Sequence, residues 1–150
     1  MDNKKSCVEK LMEELNKRNL TDVVLAILYN IKDEKISMDP CTIQLTLYEF
    51  SENSIISELK ESRFNISGIY PFSEKIYRVF YRLETAGLLP YSTNERIYFI
   101  NFSNSRNRQK ESYEKFNISE QEEIKTIATT LSERLKVDKY NKQIYKKFNN

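Results

Sequence analysis

Histidine is missing from all 150 residues of this chain. With it go His-ligated metal sites, imidazole acid–base chemistry and Ser-His-Asp triads. Glycine occurs only at Gly68 and Gly87, too few for a loop that wraps a phosphate, which excludes the glycine-rich nucleotide-binding motifs. The two cysteines, Cys7 and Cys41, lie far apart with no CxxC spacing. They are predicted to be reduced, half-buried packing residues, neither zinc ligands nor a redox pair. No apolar run nears the roughly 20 residues of a membrane span, and the opening MDNKKSCVEKLMEEL carries charges through its apolar pattern, unlike a secretion signal. Carboxylates, lysines and tyrosines are plentiful, yet no spacing selects a pair for acid–base work. The expectation is a cytoplasmic, non-enzymatic protein with no cofactor, no metal and no membrane segment.

What is present is the composition of a soluble globular chain, 39% hydrophobic and 31% charged with a net charge of +2, and the length suits one domain with an appended element. In SCVEKLMEELNKR, Val8, Leu11, Met12 and Leu15 fall at i, i+3, i+4 and i+7, predicting an amphipathic N-terminal helix within residues 1–20 that needs a partner. Thr21 is the expected cap of a second helix, DVVLAILYNIKDEK, whose Val23, Val24, Leu25, Ile27, Leu28 and Ile31 cover most of its circumference and place it in mid-core. DPCTIQLTLYEF reads two ways: Asp39-Pro40 is a good helix start, whereas Ile43, Leu45 and Leu47 alternate with Thr42, Gln44 and Thr46 as in a strand. The alternation predicts a short extended segment. SENSIISELKESR is expected to form a helix of about three turns with Ile55, Ile56 and Leu59 on one side and Ser51 or Ser54 as cap. Gly68 and Pro71 then turn the chain.

The stretch FSEKIYRVFYRLETAGLLPYSTNERIYFINF, residues 72–102, combines three signals. Ser73 stands where an N-cap belongs, Ile76, Val79, Phe80 and Leu83 repeat the helical apolar spacing, and Gly87 stops the helix. LLPY, the polar turn at residues 92–95 and RIYFINF then predict two strands joined by a short loop, the first an edge strand because Pro90 lacks a ladder donor. Helix, turn, helix and hairpin is the order of a winged helix-turn-helix. NSIISELKES and FSEKIYRVFYRLETAGLLPY resemble the DNA-binding half of the phenolic acid decarboxylase regulator (PadR) family, through Ile76-Tyr77-Arg78, Tyr81-Arg82-Leu83-Glu84 and Gly87-Leu88. The resemblance spans about 85 residues, Thr21 to Ser103, and implies a dimeric transcriptional repressor that binds double-stranded DNA, often with a C-terminal dimerising helix; it names no small-molecule effector.

With the apolar positions inward, Arg78, Tyr81, Arg82 and Thr85 point away from the core and Glu74, Lys75 and Tyr77 flank them. Arginine can grip guanine edges, lysine and tyrosine can hold phosphates, and Ser73 would offer a hydroxyl and helix N-terminal amides to a phosphate. Asn94 and Arg96, at the hairpin turn, are where a wing would touch the backbone or minor groove. The candidate DNA-binding residues are thus Ser73, Lys75, Tyr77, Arg78, Tyr81, Arg82, Asn94 and Arg96. From Tyr70 to Lys110 seven Lys or Arg face three acids, so positive charge gathers where DNA binding needs it.

Beyond the hairpin, SNSRNRQKES is polar and basic and is expected to be a linker or arm over residues 104–118. Ser119 and Glu122 read as a capping box opening a helix with Ile124, Ile127, Ala128, Leu131 and Leu135 along one seam. That seam is two heptads long and must pack either within its own chain or against a twofold mate. The expected fold is mainly α with a small β-hairpin (α+β): a winged helix-turn-helix core at residues 21–103, an N-terminal helix within 1–20, the linker 104–118, and a C-terminal helix within 119–150 as candidate dimerisation element. The expected function is a sequence-specific DNA-binding regulator acting as a homodimer, with residues 73–85 in the major groove and 88–102 as wing. The alternative is a winged-helix module that binds other proteins, for which aromatics such as Tyr77, Tyr81 and Tyr98 are equally suited.

Overall fold

Helix α2, Leu20–Asn30, organises the molecule: Val23 to Leu28 are all buried, so neighbours pack on every side of it. A computed structural model describes residues 6–101 and 103–137, without the side chains of 12–16 and 103. Among these residues the order is α1 (Cys7–Asn16), α2, β1 (Lys35–Ser37), α3 (Pro40–Ser51), α4 (Ser57–Lys60), α5 (Glu74–Thr85), β2 (Tyr91–Ser92), β3 (Ile97–Phe99), α6 (Ser103–Glu114) and α7 (Ile118–Arg134). The architecture is mainly helical with a three-stranded antiparallel sheet in the order β1-β3-β2. Helices α4, α5, α6 and α7 all pack against α2, and α7 also packs on α3. The tail KYNKQIYKKFNN, basic with Tyr140, Ile144, Tyr145 and Phe148 interleaved and read from sequence as a helix extension or a weak nucleic-acid contact, lies outside the described residues.

Cap chemistry places the helix starts earlier than predicted. Asn19, not Thr21, caps α2: its side chain accepts from the Asp22 amide at 3.1 Å and the Asp22 carboxylate accepts from the Asn19 amide at 3.0 Å. Asn117 and Glu120, not Ser119 and Glu122, form the same reciprocal box at α7. In both helices an Asn two residues ahead of the expected cap takes the role, and the acidic residue at the third helical position reaches back to its amide.

Residues 40–51 are helical, correcting the extended prediction. Asp39 accepts from the Cys41 amide and the Thr42 hydroxyl, with Pro40 opening the helix. The apparent alternation breaks in space: Ile43 and Leu47 are buried while Leu45 is exposed. The polar positions between them are buried with partners far along the chain, Gln44 against the Ser73 backbone and Thr46 accepting from Arg134 at 2.9 Å. The three-turn helix expected at residues 51–63 is instead the single turn α4. Glu123 of α7 holds the preceding segment out of the helix, accepting from the Ser54 hydroxyl at 2.8 Å and the Ile55 amide at 3.3 Å, and Ile55 projects outward, 58% exposed.

The predicted linker is helix α6. Its buried stripe is polar, Ser105, Gln109 and Ser112, which spares the large side chains that would hold it away from α2. Ser112 donates to the buried Asp22 carboxylate at 2.7 Å and Lys115 joins at 3.2 Å, while the Arg106 guanidinium lies 4.5 Å over the Tyr29 ring. On α7, Ile124, Ile127, Ala128, Leu131 and the following Leu135 are all buried within this one chain. The C-terminal seam therefore completes the core and is not an open dimerisation face. On α1 the expected stripe is unburied where it is described, with Val8 and Leu11 exposed, and Cys7 is exposed too, not the half-buried residue predicted.

The hairpin gains a third strand that the sequence reading omitted. β1 pairs with β3 through Lys35 opposite Phe99, Ile36 opposite Tyr98 and Ser37 opposite Ile97, and β2 lies at the edge. The last residue of the α7 turn fixes β1 in turn, the Leu135 carbonyl accepting from the Ser37 amide at 2.8 Å. Arg18, just before α2, clamps the helical layer: it donates to Glu58 at 2.7 and 3.1 Å and to Glu120 at 2.8 Å, with its guanidinium over Phe116.

Candidate nucleic-acid interface

Both ends of α5 are closed by hydrogen-bonded caps, so its exposed residues project from a fixed axis. At the start, the Ser73 hydroxyl accepts from the Ile76 amide and donates to the Ser62 carbonyl at 2.7 Å. Gln44 grips the Ser73 backbone from both sides, its Oε1 accepting from the amide at 2.9 Å and its Nε2 donating to the carbonyl at 3.1 Å. At the far end, the Gly87 amide donates to Glu84 and the Leu88 amide to Leu83, a Schellman closure that needs the left-handed φ of 73° at Gly87. Ile76, Val79 and Leu83 fill the core beneath.

At about 100° per residue, the positions outside that stripe divide into two edges. Lys75, Arg78 and Arg82 form a basic edge. With Val79 and with Asn19, Leu20 and Thr21 at the start of α2, they line a cleft of about 250 Å³. Lys75 Nζ donates to the Glu61 carbonyl at 3.4 Å, and Arg78 donates to Glu74 at 2.7 Å one helical turn back. Both partners of the latter are solvent-exposed, which makes that pair weak and open to exchange for another anion.

Tyr77 and Tyr81 form the opposite, aromatic edge. Their rings stack with centroids 6.5 Å apart at 17°, and Tyr77 meets Phe72, which meets Tyr70. Beside them a cavity of about 220 Å³ runs between α5, α3 and the sheet, lined by Met38, Ile43, Phe80, Glu84 and Tyr98 among others. The Tyr98 phenol donates to Glu84 at 2.5 Å. Burial, reinforced by that carboxylate, raises its pKa far above the usual phenol value, so it stays a donor.

Of the residues predicted to bind DNA, Lys75, Arg78 and Arg82 come together, and Tyr77 and Tyr81 come together on the other edge. Asn94 and Arg96 are exposed at the hairpin turn, Arg96 with a φ of 55°, and line neither cleft. The Arg96 carbonyl accepts from the Met38 amide at 2.9 Å, which ties the turn to the aromatic side of α5. Ser73 is a correction: fully buried, with its hydroxyl, amide and carbonyl all engaged inside the protein, it offers nothing to a phosphate. Asn19, Leu20 and Thr21 were missed as walls of the basic cleft, although the Asn19-x-x-Asp22 box marks the start of α2 in the sequence. Met38 and Gln44 carried no local signal at all.

Among the described residues no group of His, Cys, Asp and Glu is placed to hold a metal ion, and no helix is long and apolar enough to cross a membrane. No protein-family model, curated protein or solved structure matches the chain.

Proposed function

We propose that this chain is a non-enzymatic, winged-helix DNA-binding regulator of transcription acting in the cytoplasm, with α5 entering the major groove and the β2–β3 hairpin serving as wing. The observation that carries the reading is the basic edge of α5. Three cations, Lys75, Arg78 and Arg82, project from one side of the helix that precedes the hairpin and share a cleft with the start of α2. A helix held at both ends and lined with long cationic side chains is suited to a groove: Arg78 and Arg82 can reach base edges while Lys75 meets a flanking phosphate. The order of elements from α2 to β3, with β1 closing the sheet as β1-β3-β2, supports the winged-helix assignment. Arg96 at the hairpin turn is placed to touch the neighbouring backbone.

A homodimer belongs to the proposal because a small cationic footprint binds weakly alone and two copies double the phosphates neutralised. With the α7 seam buried inside its own chain, the twofold contact has to use another surface. Fluorescence anisotropy with a mixed-sequence duplex at low and high salt, with light scattering in the same buffers, tests both parts. Salt-sensitive binding by a species of twice the chain mass is expected; absence of binding at low salt would overturn the reading.

A second reading, a winged helix that docks on another protein, is favoured by one feature. The loop leading into α5 exposes Ile66 and Ile69, the latter completely, although it is closed by the Asn65–Phe72 backbone pair and by Asn65 accepting from the Ser67 amide at 2.9 Å. Retention of a partner by the wild-type chain and its loss in Ile66→Ser/Ile69→Ser would favour this reading.

A further inference from the structure

The cavity on the aromatic edge of α5 has the size and chemistry of a ligand site. Its volume is about 220 Å³, whereas a dry engineered cavity of about 150 Å³ already admits benzene, so one aromatic ring with a short side chain fits. Phe80 and Tyr98 pack with centroids 6.0 Å apart, the stacked Tyr77–Tyr81 pair stands on one side, and Met38 and Ile43 supply aliphatic wall.

Charge chooses among ring-bearing ligands. The lining holds one carboxylate, Glu84, and neither lysine nor arginine, since the cations of α5 line the other cleft. Glu84 is held in place by the Tyr98 phenol at 2.5 Å. Four aromatic residues line the cavity, Tyr77, Phe80, Tyr81 and Tyr98, and the faces of such rings carry negative potential and attract a cation, more so where water is displaced. An anion of the same shape would meet Glu84 and those faces unfavourably, and a neutral molecule would gain only from burial.

We propose that this cavity binds a small aromatic amine or quaternary ammonium, its ring against the Met38 and Ile43 wall and its ammonium paired with Glu84 among the tyrosine faces. Binding here does not rest on the DNA reading, which uses the opposite edge of α5.

The test uses the full chain without DNA, so its failure and that of the DNA reading are separate. Three probes share one skeleton: 2-phenylethylamine, 2-phenylethanol and phenylacetate, titrated at constant ionic strength and followed by calorimetry and by the ring resonances of labelled tyrosine. The amine should bind on the order of tenfold tighter than the alcohol, with phenylacetate weaker still and with Tyr77, Tyr81 and Tyr98 shifting. Glu84→Gln should cut the amine's advantage over the alcohol several-fold, leaving the smaller preference that the rings supply. Tyr81→Ala, at an exposed position, should weaken the amine several-fold with unchanged thermal unfolding. Equal affinities for the three probes, no binding of the amine, or an amine affinity unaffected by Glu84→Gln would each overturn the proposal.

Discussion

The two edges of α5 share one backbone and one set of caps, yet their chemistry is opposite. On the basic edge, Lys75, Arg78 and Arg82 are long and exposed, the first two held by weak contacts, and they line a cleft with the start of α2. On the aromatic edge, Tyr77 and Tyr81 are stiff, stacked on each other and border a half-open cavity against the sheet. Flexible cations suit an extended anion, whose phosphates reward charge with little demand on position. Preset rings around a fixed carboxylate suit a compact ligand that has to match in shape. A single helix can thus present two kinds of surface because Gln44 and the Gly87 closure fix its rotation about its own axis.

Substitutions can separate the edges or make them fail together. Arg78→Ala and Arg82→Ala should each weaken duplex binding by about 1–3 kcal/mol where the side chain reads a base, while leaving amine binding unchanged; unchanged duplex binding in both would put the contact on the wrong face. Gln44→Ala should strike both edges. It removes two buried hydrogen bonds to Ser73 and should lower stability by about 2 kcal/mol in chemical denaturation, with both binding activities reduced through the loosened helix start.

Gly87→Ala should be milder. A Cβ there meets nothing within 4 Å, so only the strain of the φ of 73° counts. A loss of about 1 kcal/mol is expected in the same denaturation measurement, without selectivity between the edges.

The smallest effect concerns acid. Desolvation pushes the Glu58 pKa up, but the hydrogen bonds and charge of Arg18, a backbone hydrogen bond and the Ser57 hydroxyl together hold it below its ordinary 4.5. A depressed carboxylate stabilises the fold above its unfolded pKa and loses that contribution as pH falls through the folded value. Glu58→Gln should therefore be less stable than wild type at neutral pH, with the difference shrinking below pH 4.5; a constant difference would remove Glu58 from the account of acid unfolding.

What the sequence made legible follows from where each signal resides. α2 and α5 are readable because large apolar side chains repeat at helical spacing, and the stop at Gly87 is readable because the residue that permits the turn is the turn. Helix α3 was not, because its buried face includes Gln44 and Thr46, whose partners Ser73 and Arg134 are distant in sequence. Helix α6 was not, because a face of Ser105, Gln109 and Ser112 looks like a linker until Asp22 is known to receive it. α4 was predicted too long because Glu123, which competes for the Ser54 hydroxyl and Ile55 amide, lies in α7.

The candidate site divides the same way. Its basic edge is a property of one helix and was visible. The aromatic cavity needs Met38 from the link after β1, Tyr98 from β3 and Ile43 from α3, three segments that only tertiary packing brings together. Ser73 was misread for a related reason: a helix-capping serine and a phosphate-binding serine look alike in sequence, and Gln44 and Ser62 decide between them.

The central claim is that the basic edge, and not the helix as a whole, holds nucleic acid. The most direct test is the salt dependence of duplex binding for the wild-type chain and for Lys75→Ala/Arg78→Ala/Arg82→Ala, each confirmed folded by circular dichroism. The account predicts that the variant's plot of log affinity against log salt is shallower by about 1 per chain, from loss of the phosphate-facing Lys75, while loss of Arg78 and Arg82 weakens binding at every salt concentration. Equal slopes for the two proteins would contradict it.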